Sequence, residues 1–206
     1  MKRPVATRYP LHELLRERWS PLAFSSEAIG EDTLGSLFEA ARWAPSCYNE
    51  QPWSFVVATQ EDPAEFERLA GCLVEANRRW AGQAAVLAIA VAKRDFAHNG
   101  TQNVHAWYDL GQAVAHLTFQ AAAAGLYVHQ MAGFSPERAR TAYELPETHA
   151  PVAMFAIGRY GEHERLPEDL RQRETAPRAR KPLSEFVFSG RWAQSASWTT
   201  SGKAEA

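Results

Sequence analysis

Ala44-Pro45-Ser46-Cys47-Tyr48-Asn49-Glu50-Gln51-Pro52-Trp53 joins two elements of different kind. Upstream, Leu34, Leu37, Phe38 and Ala41 recur at i, i+3, i+4 and i+7, the spacing of one helical face. Pro45 stops that helix, because proline cannot donate a backbone hydrogen bond and disfavours helix in the residue before it. Downstream, Trp53 to Thr59 is rich in β-formers and reads as a buried strand. Proline, serine and asparagine are ordinary choices for the polar turn between them. That explains the residue types, but not why Gln51-Pro52-Trp53 opens directly into a buried strand.

Working outward, Leu11, Leu14 and Leu15 give a short amphipathic helix before Trp19. Asp62-Pro63-Ala64-Glu65 is a helix start, with a capping acid, a proline at the first helical position and a capping-box glutamate. The stripe Phe66, Leu69, Ala70, Leu73, Val74 runs on to Asn77. An unpaired buried amide costs roughly 1–3 kcal/mol, so Asn77 either bonds backbone where the helix ends or faces a polar ligand. Ala85 to Ala92 is a continuous apolar run and a central strand, and Asn103 to Ala124 is a long helix ended by Gly125. That helix is apolar on most sides. Leu110, Ala113, Val114, Leu117 and Ala121 form one face, and Trp107, Gly111 and Ala115 the other, so it lies in a core or across a subunit interface. An extended piece from Leu126 to Phe134, a helix from Ser135 to about Tyr143 and a strand from Pro151 to Gly158 follow.

The 206 residues fit one domain, spanning 1–206, in which 162–206 form an extended C-terminal segment. Phe186-Val187-Phe188 is expected to pair with another chain, and residues from Ala193 onward form a mobile tail. A net charge of −2 with mixed signs gives no field to attract nucleic acid. The apolar runs fall far below the ~20 residues of a membrane span. Two unpaired cysteines and an N-terminus with no apolar h-region point to the reducing cytoplasm.

No Gly-x-Gly-x-x-Gly, Gly-x-x-x-x-Gly-Lys or Gly-x-Ser-x-Gly occurs, and the seven histidines have no metal-ligand spacing. Cys47 has no basic neighbour in sequence to activate it as a nucleophile.

Four segments together resemble the FMN-dependent nitroreductases, in matching order and over nearly the whole chain, from about Leu14 to Trp192. They are Arg18-Trp19-Ser20-Pro21-Leu22, Pro45-Ser46-Cys47-Tyr48-Asn49 with Gln51-Pro52-Trp53, Asn77-Arg78-Arg79-Trp80, and Met131-Ala132-Gly133-Phe134. Arg180-Lys181-Pro182-Leu183 resembles the family's C-terminal basic element, with Arg178 a neighbouring alternative. The resemblance implies an α+β fold: a central, mostly antiparallel sheet flanked by helices, in an intertwined homodimer whose C-terminal extension lies on the partner. It also implies bound FMN. Arg18 and Ser20, flanked by Trp19 and Leu22, and Arg180 or Lys181 would hold the phosphate and ribityl end, a guanidinium offering a fork to a dianion. Asn77, Ala132 and Gly133 would lie at the ring. Gly133 suits close backbone approach to a planar ligand, having no Cβ. Pro45, Ser46, Cys47, Asn49 and Gln51 would reach the flavin of the other subunit.

The implied activity passes hydride from NAD(P)H through flavin N5 to a nitroaromatic, quinone or related small oxidant by a ping-pong mechanism. Trp107 and Tyr108 either line that pocket or belong to the core. Relatives often carry a basic residue where this chain has Leu22 and Trp80, so its reduced flavin should be less stabilised unless another cation such as Arg79 takes the place. Two other activities fit the resemblance: a relative specialised for one metabolite, such as a semialdehyde reductase or a dehydrogenase, or a flavin-binding carrier or sensor without turnover.

Overall fold

The computed structural model describes residues 3, 5 and 7–200. Its helices are α1 (Glu13–Glu17), α2 (Glu31–Arg42), α3 (Pro63–Ala70), α4 (Glu75–Ala81), α5 (Ala106–Ala123), α6 (Pro136–Ala142), α7 (Glu168–Thr175) and α8 (Ser197–Thr200). Strands β1 (Trp53–Thr59), β2 (Val86–Lys93), β3 (Tyr127–Met131) and β4 (His149–Gly158) form one sheet in the order β1-β2-β4-β3. Every pairing is antiparallel, which agrees with the expected α+β class.

The sheet is buried on both faces through β2. Side chains alternate across a strand, so β2 sorts its residues by size. Leu87, Ile89 and Val91 join a cluster with Phe24, Phe66, Leu69, Trp80 and Met154. Val86, Ala88, Ala90 and Ala92 face the other way, into a cluster with Leu37, Leu110, Leu117 and Phe155. The small alanine side chains let α5 settle closely on the sheet. Its Ala106, Leu110, Ala113 and Leu117 are almost wholly buried there.

Local signals read from sequence hold at the helix ends. Asp62 accepts a hydrogen bond from the Glu65 N–H at 3.1 Å with Pro63 at the first helical position. Gly125 takes φ +72° after α5, and the Leu126 N–H reaches back to the Ala121 carbonyl at 2.8 Å, which closes the helix.

Two expectations are corrected. The stripe from Phe66 to Asn77 is two helices, because Gly71 to Val74 leave the helix to pair with the chain after β3. Leu73 bridges Phe134, and the Val74 N–H donates to the Gly133 carbonyl at 3.1 Å. Asn77 therefore belongs to α4. The chain from Ala193 to Thr200 is also built into the fold: Phe188 bridges Ser195, Ala196 and Thr199 are buried, and the Tyr9 hydroxyl donates to the Trp198 carbonyl at 2.6 Å. Phe188 of the apolar Phe186-Val187-Phe188 piece thus pairs with Ser195 of its own chain, and the remaining tail, 201–206, lies outside the described residues. No helix among the described residues is long and apolar enough to cross a membrane.

The segment after α1 is laid on the end of β4 by close backbone contact. Phe24 bridges Tyr160, and a Cβ on Gly161 would sit 2.5 Å from the carbonyl carbon and oxygen of Phe24. Backbone cannot rotate away as a side chain can. We expect Gly161→Ala to lower unfolding free energy by about 1–3 kcal/mol, measured by urea denaturation.

Candidate functional site

Arg18 caps α1, its N–H closing on the Leu14 carbonyl, and its side chain enters a cavity of about 540 Å³ between the N-terminal segment, α1 and the C-terminal segment. Arg8, Arg178, Arg180 and Lys181 also line it, and no acidic residue does among those described. Burial first, and Arg180 second, push the Arg18 guanidinium below its ordinary range. Arg178 is pushed down likewise by burial, then by Arg18, Arg180 and Arg3. Crowded cations without a counter-charge favour an anion.

These cations are not equivalent. Arg178 commits its fork to main chain, donating to the carbonyls of Arg3 at 2.9 Å, Arg16 at 3.3 Å and Arg18 at 2.6 Å. Among the described residues, Arg180 reaches only its neighbour's carbonyl, at Ala179. Lys181 makes no hydrogen bond or ion pair among the described residues. Arg18 leans toward the Ser20 hydroxyl at 3.4 Å, and Ser20 is exposed. Arg18, Ser20, Arg180 and Lys181 are therefore the groups open to an anion, while Arg178 holds the backbone that presents Arg18.

Two residues expected at a cofactor turn inward. Trp19 is buried, edge-on to Tyr127 at 5.9 Å and close to Tyr160 at 5.4 Å. Leu22 lies in the core with its N–H bound to Glu174 at 2.8 Å. Both are apolar and pack better against the sheet edge than against a ribityl chain, so their side chains support the segment rather than line a site. Glu174 was not singled out from sequence, because its surroundings there are a run of charged residues. Beside it, the His129 Nδ1 lies 2.7 Å from the Pro21 carbonyl, which can only accept, so this nitrogen carries the proton.

At the far end of β3, Asn77 donates from Nδ2 to the Gly133 carbonyl at 3.0 Å. Its amide bonds backbone, and it does so beside Gly133. The reason for Gly133 also changes. A Cβ there would lie 2.5 Å from Asn77 Nδ2 and 3.0 Å from Val74 Cγ2, so the missing side chain makes room for Asn77. Ala132 next to it is exposed. Trp80 is wholly buried, stacked on Phe24 at 6.2 Å and 4.4 Å from the His129 ring. Arg79 is not a spare cation either, for it makes a two-point pair with Asp169 at 3.0 and 3.1 Å.

The loop from Pro45 to Gln51 is held in a costly conformation. Tyr48, Asn49 and Gln51 have φ of 54°, 56° and 51°, left-handed values that non-glycine residues seldom adopt, each costing on the order of 1–3 kcal/mol. Specific bonds hold it. The Cys47 N–H donates to Asp109 Oδ2 at 3.0 Å, the Gln51 N–H to Ser46 Oγ at 3.0 Å, and Gln51 Nε2 to the Asn49 carbonyl at 3.0 Å. Glu50 accepts from the Ala97 N–H at 2.6 Å. Asp109 and Glu50 escaped the sequence reading because their partners are distant or are backbone groups. Tyr48 is left 84% exposed.

One chain does not bring these parts together. Asp109 holds the loop near the start of α5, whereas Arg18 and Trp19 lie against Thr118 and Ala122 near its end. A rise of ~1.5 Å per residue puts Ala122 about 20 Å along the axis from Asp109. Trp107 and Tyr108 are 43% and 71% exposed on the outward face of α5, so they are surface in a single chain and not core.

A family model described as the nitroreductase family matches residues 15–159. A crystal structure of an oxidoreductase containing FMN superposes with a TM-score of 0.87 at 33% identity, covering 91% of this chain and 96% of that one. A nitroreductase family protein of Clostridium difficile 630 gives a TM-score of 0.69 at 21% identity, with 89% and 99% covered. An uncharacterized 15.4 kDa protein of Mycolicibacterium smegmatis, named for the ask 5' region, is 35% identical over 127 residues, which are 62% of this chain and 84% of that protein.

Two measurements probe this geometry. Gly133→Ala should lower unfolding free energy by about 1–3 kcal/mol. The loss should be smaller in an Asn77→Ala background if the clash with the amide is its source. His129 is held below its ordinary value of 6.5, mainly by burial, against the raising effect of its bond to Pro21. Above that value the imidazole is neutral in both folded and unfolded chains. Below it the unfolded chain takes up a proton that the folded chain resists, so stability falls as pH drops. Urea unfolding from pH 7 down to about 5 should show a weaker fall in His129→Gln, whose amide can still donate to Pro21.

Proposed function

Because this chain belongs to the nitroreductase family, we propose that it is an FMN-dependent oxidoreductase that takes electrons from NAD(P)H and delivers them to a nitroaromatic, quinone or related small oxidant. The observation that carries the reading is the cavity, free of acidic residues among those described, onto which Arg18, Arg180 and Lys181 converge, with Ser20 hydrogen-bonded to Arg18. A phosphate ester brings about two negative charges, which three uncommitted cations match. When bound, FMN supplies the hydride chemistry.

The protein's own part is placement. Arg18, Arg180 and Lys181 bind the phosphate end. The exposed Ala132 and the Asn77–Gly133 pair offer main-chain and amide groups to the ring edge. The strained loop, with Ser46, Cys47, Asn49 and Gln51, closes the ring pocket of a second subunit. No acid–base pair is needed beside the ring, and one open face serving donor and acceptor in turn gives ping-pong kinetics.

Distance supports a second subunit. The loop and the basic cavity lie at opposite ends of α5, so a homodimer that packs the outward faces of α5 can supply each site from two chains. Trp107 and Tyr108 lie on that face, where they would line the substrate pocket. The exposed Phe186 and Trp192 of the C-terminal segment add apolar surface for the same partner. The place of work is the cytoplasm.

The purified protein should sediment as a dimer, bind added FMN and bleach anaerobically with NADH or NADPH. Steady-state rates with a quinone or nitroaromatic should give parallel double-reciprocal lines. A yellow protein that neither nucleotide bleaches would instead be a flavin carrier. Turnover with a semialdehyde alone would mark a relative specialised for one metabolite.

A further inference from the structure

Glu174 is 1% exposed and makes no ion pair among the described residues. A buried carboxylate without a cation is expensive, and hydrogen bonds must carry it. Its bonds to backbone go to one place. Glu174 accepts from the N–H groups of Leu22 at 2.8 Å and Ala23 at 3.4 Å, and from the hydroxyl of Tyr160. Residues 18–23 lie in no helix or strand, so no regular ladder fixes them. Four residues along, Arg178 grips the same segment from the other side of Ser20 through the carbonyls of Arg16 and Arg18. The N–H groups after Ser20 are thus held by an anion and the carbonyls before it by a cation, both supplied by the C-terminal segment.

We propose that Glu174 and Arg178 are positioning residues that clamp the 18–23 backbone so that Arg18 and Ser20 face the basic cavity, and that this clamp sets the preference for a phosphorylated flavin over an unphosphorylated one. The inference rests on the reading that the cavity takes the FMN phosphate. Glu174 is outside the cavity lining, and Arg178, though part of that lining, has its terminal nitrogens on carbonyls. Their effect passes through the backbone to Arg18, which lines the cavity, and to Ser20, which is bonded to Arg18. A displacement of a positioned group by even 1 Å weakens what it binds.

The experiment compares binding of FMN and riboflavin to the full-length apoprotein by fluorescence quenching. Wild type should prefer FMN, and Arg18→Ala should remove most of that preference. Glu174→Gln, which keeps the shape but not the charge, should lower FMN affinity about tenfold while riboflavin affinity stays within about twofold. Arg178→Lys, which keeps the charge but loses the fork, should act in the same direction. Tyr160→Phe should do so more weakly, and these two variants carry the test if Glu174→Gln does not fold. Equal loss of both ligands in all three variants, or no change in selectivity, overturns the clamp and reduces Glu174 to an ordinary structural anchor. Wild type binding riboflavin as well as FMN overturns the phosphate reading itself. A wild-type preference that Arg18→Ala abolishes and the clamp variants leave intact overturns the clamp alone.

Discussion

Everything in this molecule is positioned from the contact between α5 and the alanine face of β2. Ala88, Ala90 and Ala92 present no bulk, so the helix lies close and buries its Ala106, Leu110, Ala113 and Leu117 stripe. With its axis fixed, α5 acts as a rigid rod. Near its start, Asp109 takes the Cys47 N–H and holds the strained loop. Near its end, Thr118 and Ala122 back the segment that carries Arg18 and Trp19. Local strain is tolerated only where the surroundings over-determine it, and a packed helix with a buried carboxylate does that.

The opposite face of the sheet governs the ligand ends of the fold in another way. Leu22, Phe24 and Trp80 fill the space over Leu87, Ile89 and Val91, so the segment after α1 is pulled down onto the core. Its polar residues are left pointing away. Ser20 is exposed between buried Trp19 and buried Pro21, and Arg18 leans into the basic cavity. Apolar side chains do the anchoring and Arg18 faces the basic cavity, which is why the motif alternates the two. The same division explains why Leu22 and Trp80 carry no charge in this chain, since both positions are core.

Charge is handled by commitment to the main chain. Glu174 is withdrawn from water and Arg178 is half-buried, and each is satisfied mostly by backbone groups. Fixed hydrogen bonds in a low-dielectric setting are strong, and they hold irregular backbone where no ladder can. Arg180 and Lys181, two and three residues on, have no comparable partner among the described residues. Within one short stretch, then, some charges build the frame and others are left to meet an anion.

Much of this was legible in short windows of sequence. The cap at Asp62, the stop at Gly125, the strands at Trp53 and Ala85 and the α+β class depend on periodicity and on residues within a few positions of one another, and those signals are local. The resemblance also marked Arg18 with the Arg180 region and Asn77 with Gly133, and the fold brings each of these two pairs close. What only the tertiary structure decided was how each group is used. Arg178 and Arg180 look alike in sequence, yet one bonds the carbonyls of Arg3, Arg16 and Arg18 and the other does not. The missing side chain of Gly133 makes room for Asn77, which no local window shows. Glu174 looked like one charge among many and holds a backbone more than a hundred residues away. A hydrogen bond is chosen by which groups share a buried space, and that space exists only once the chain has folded.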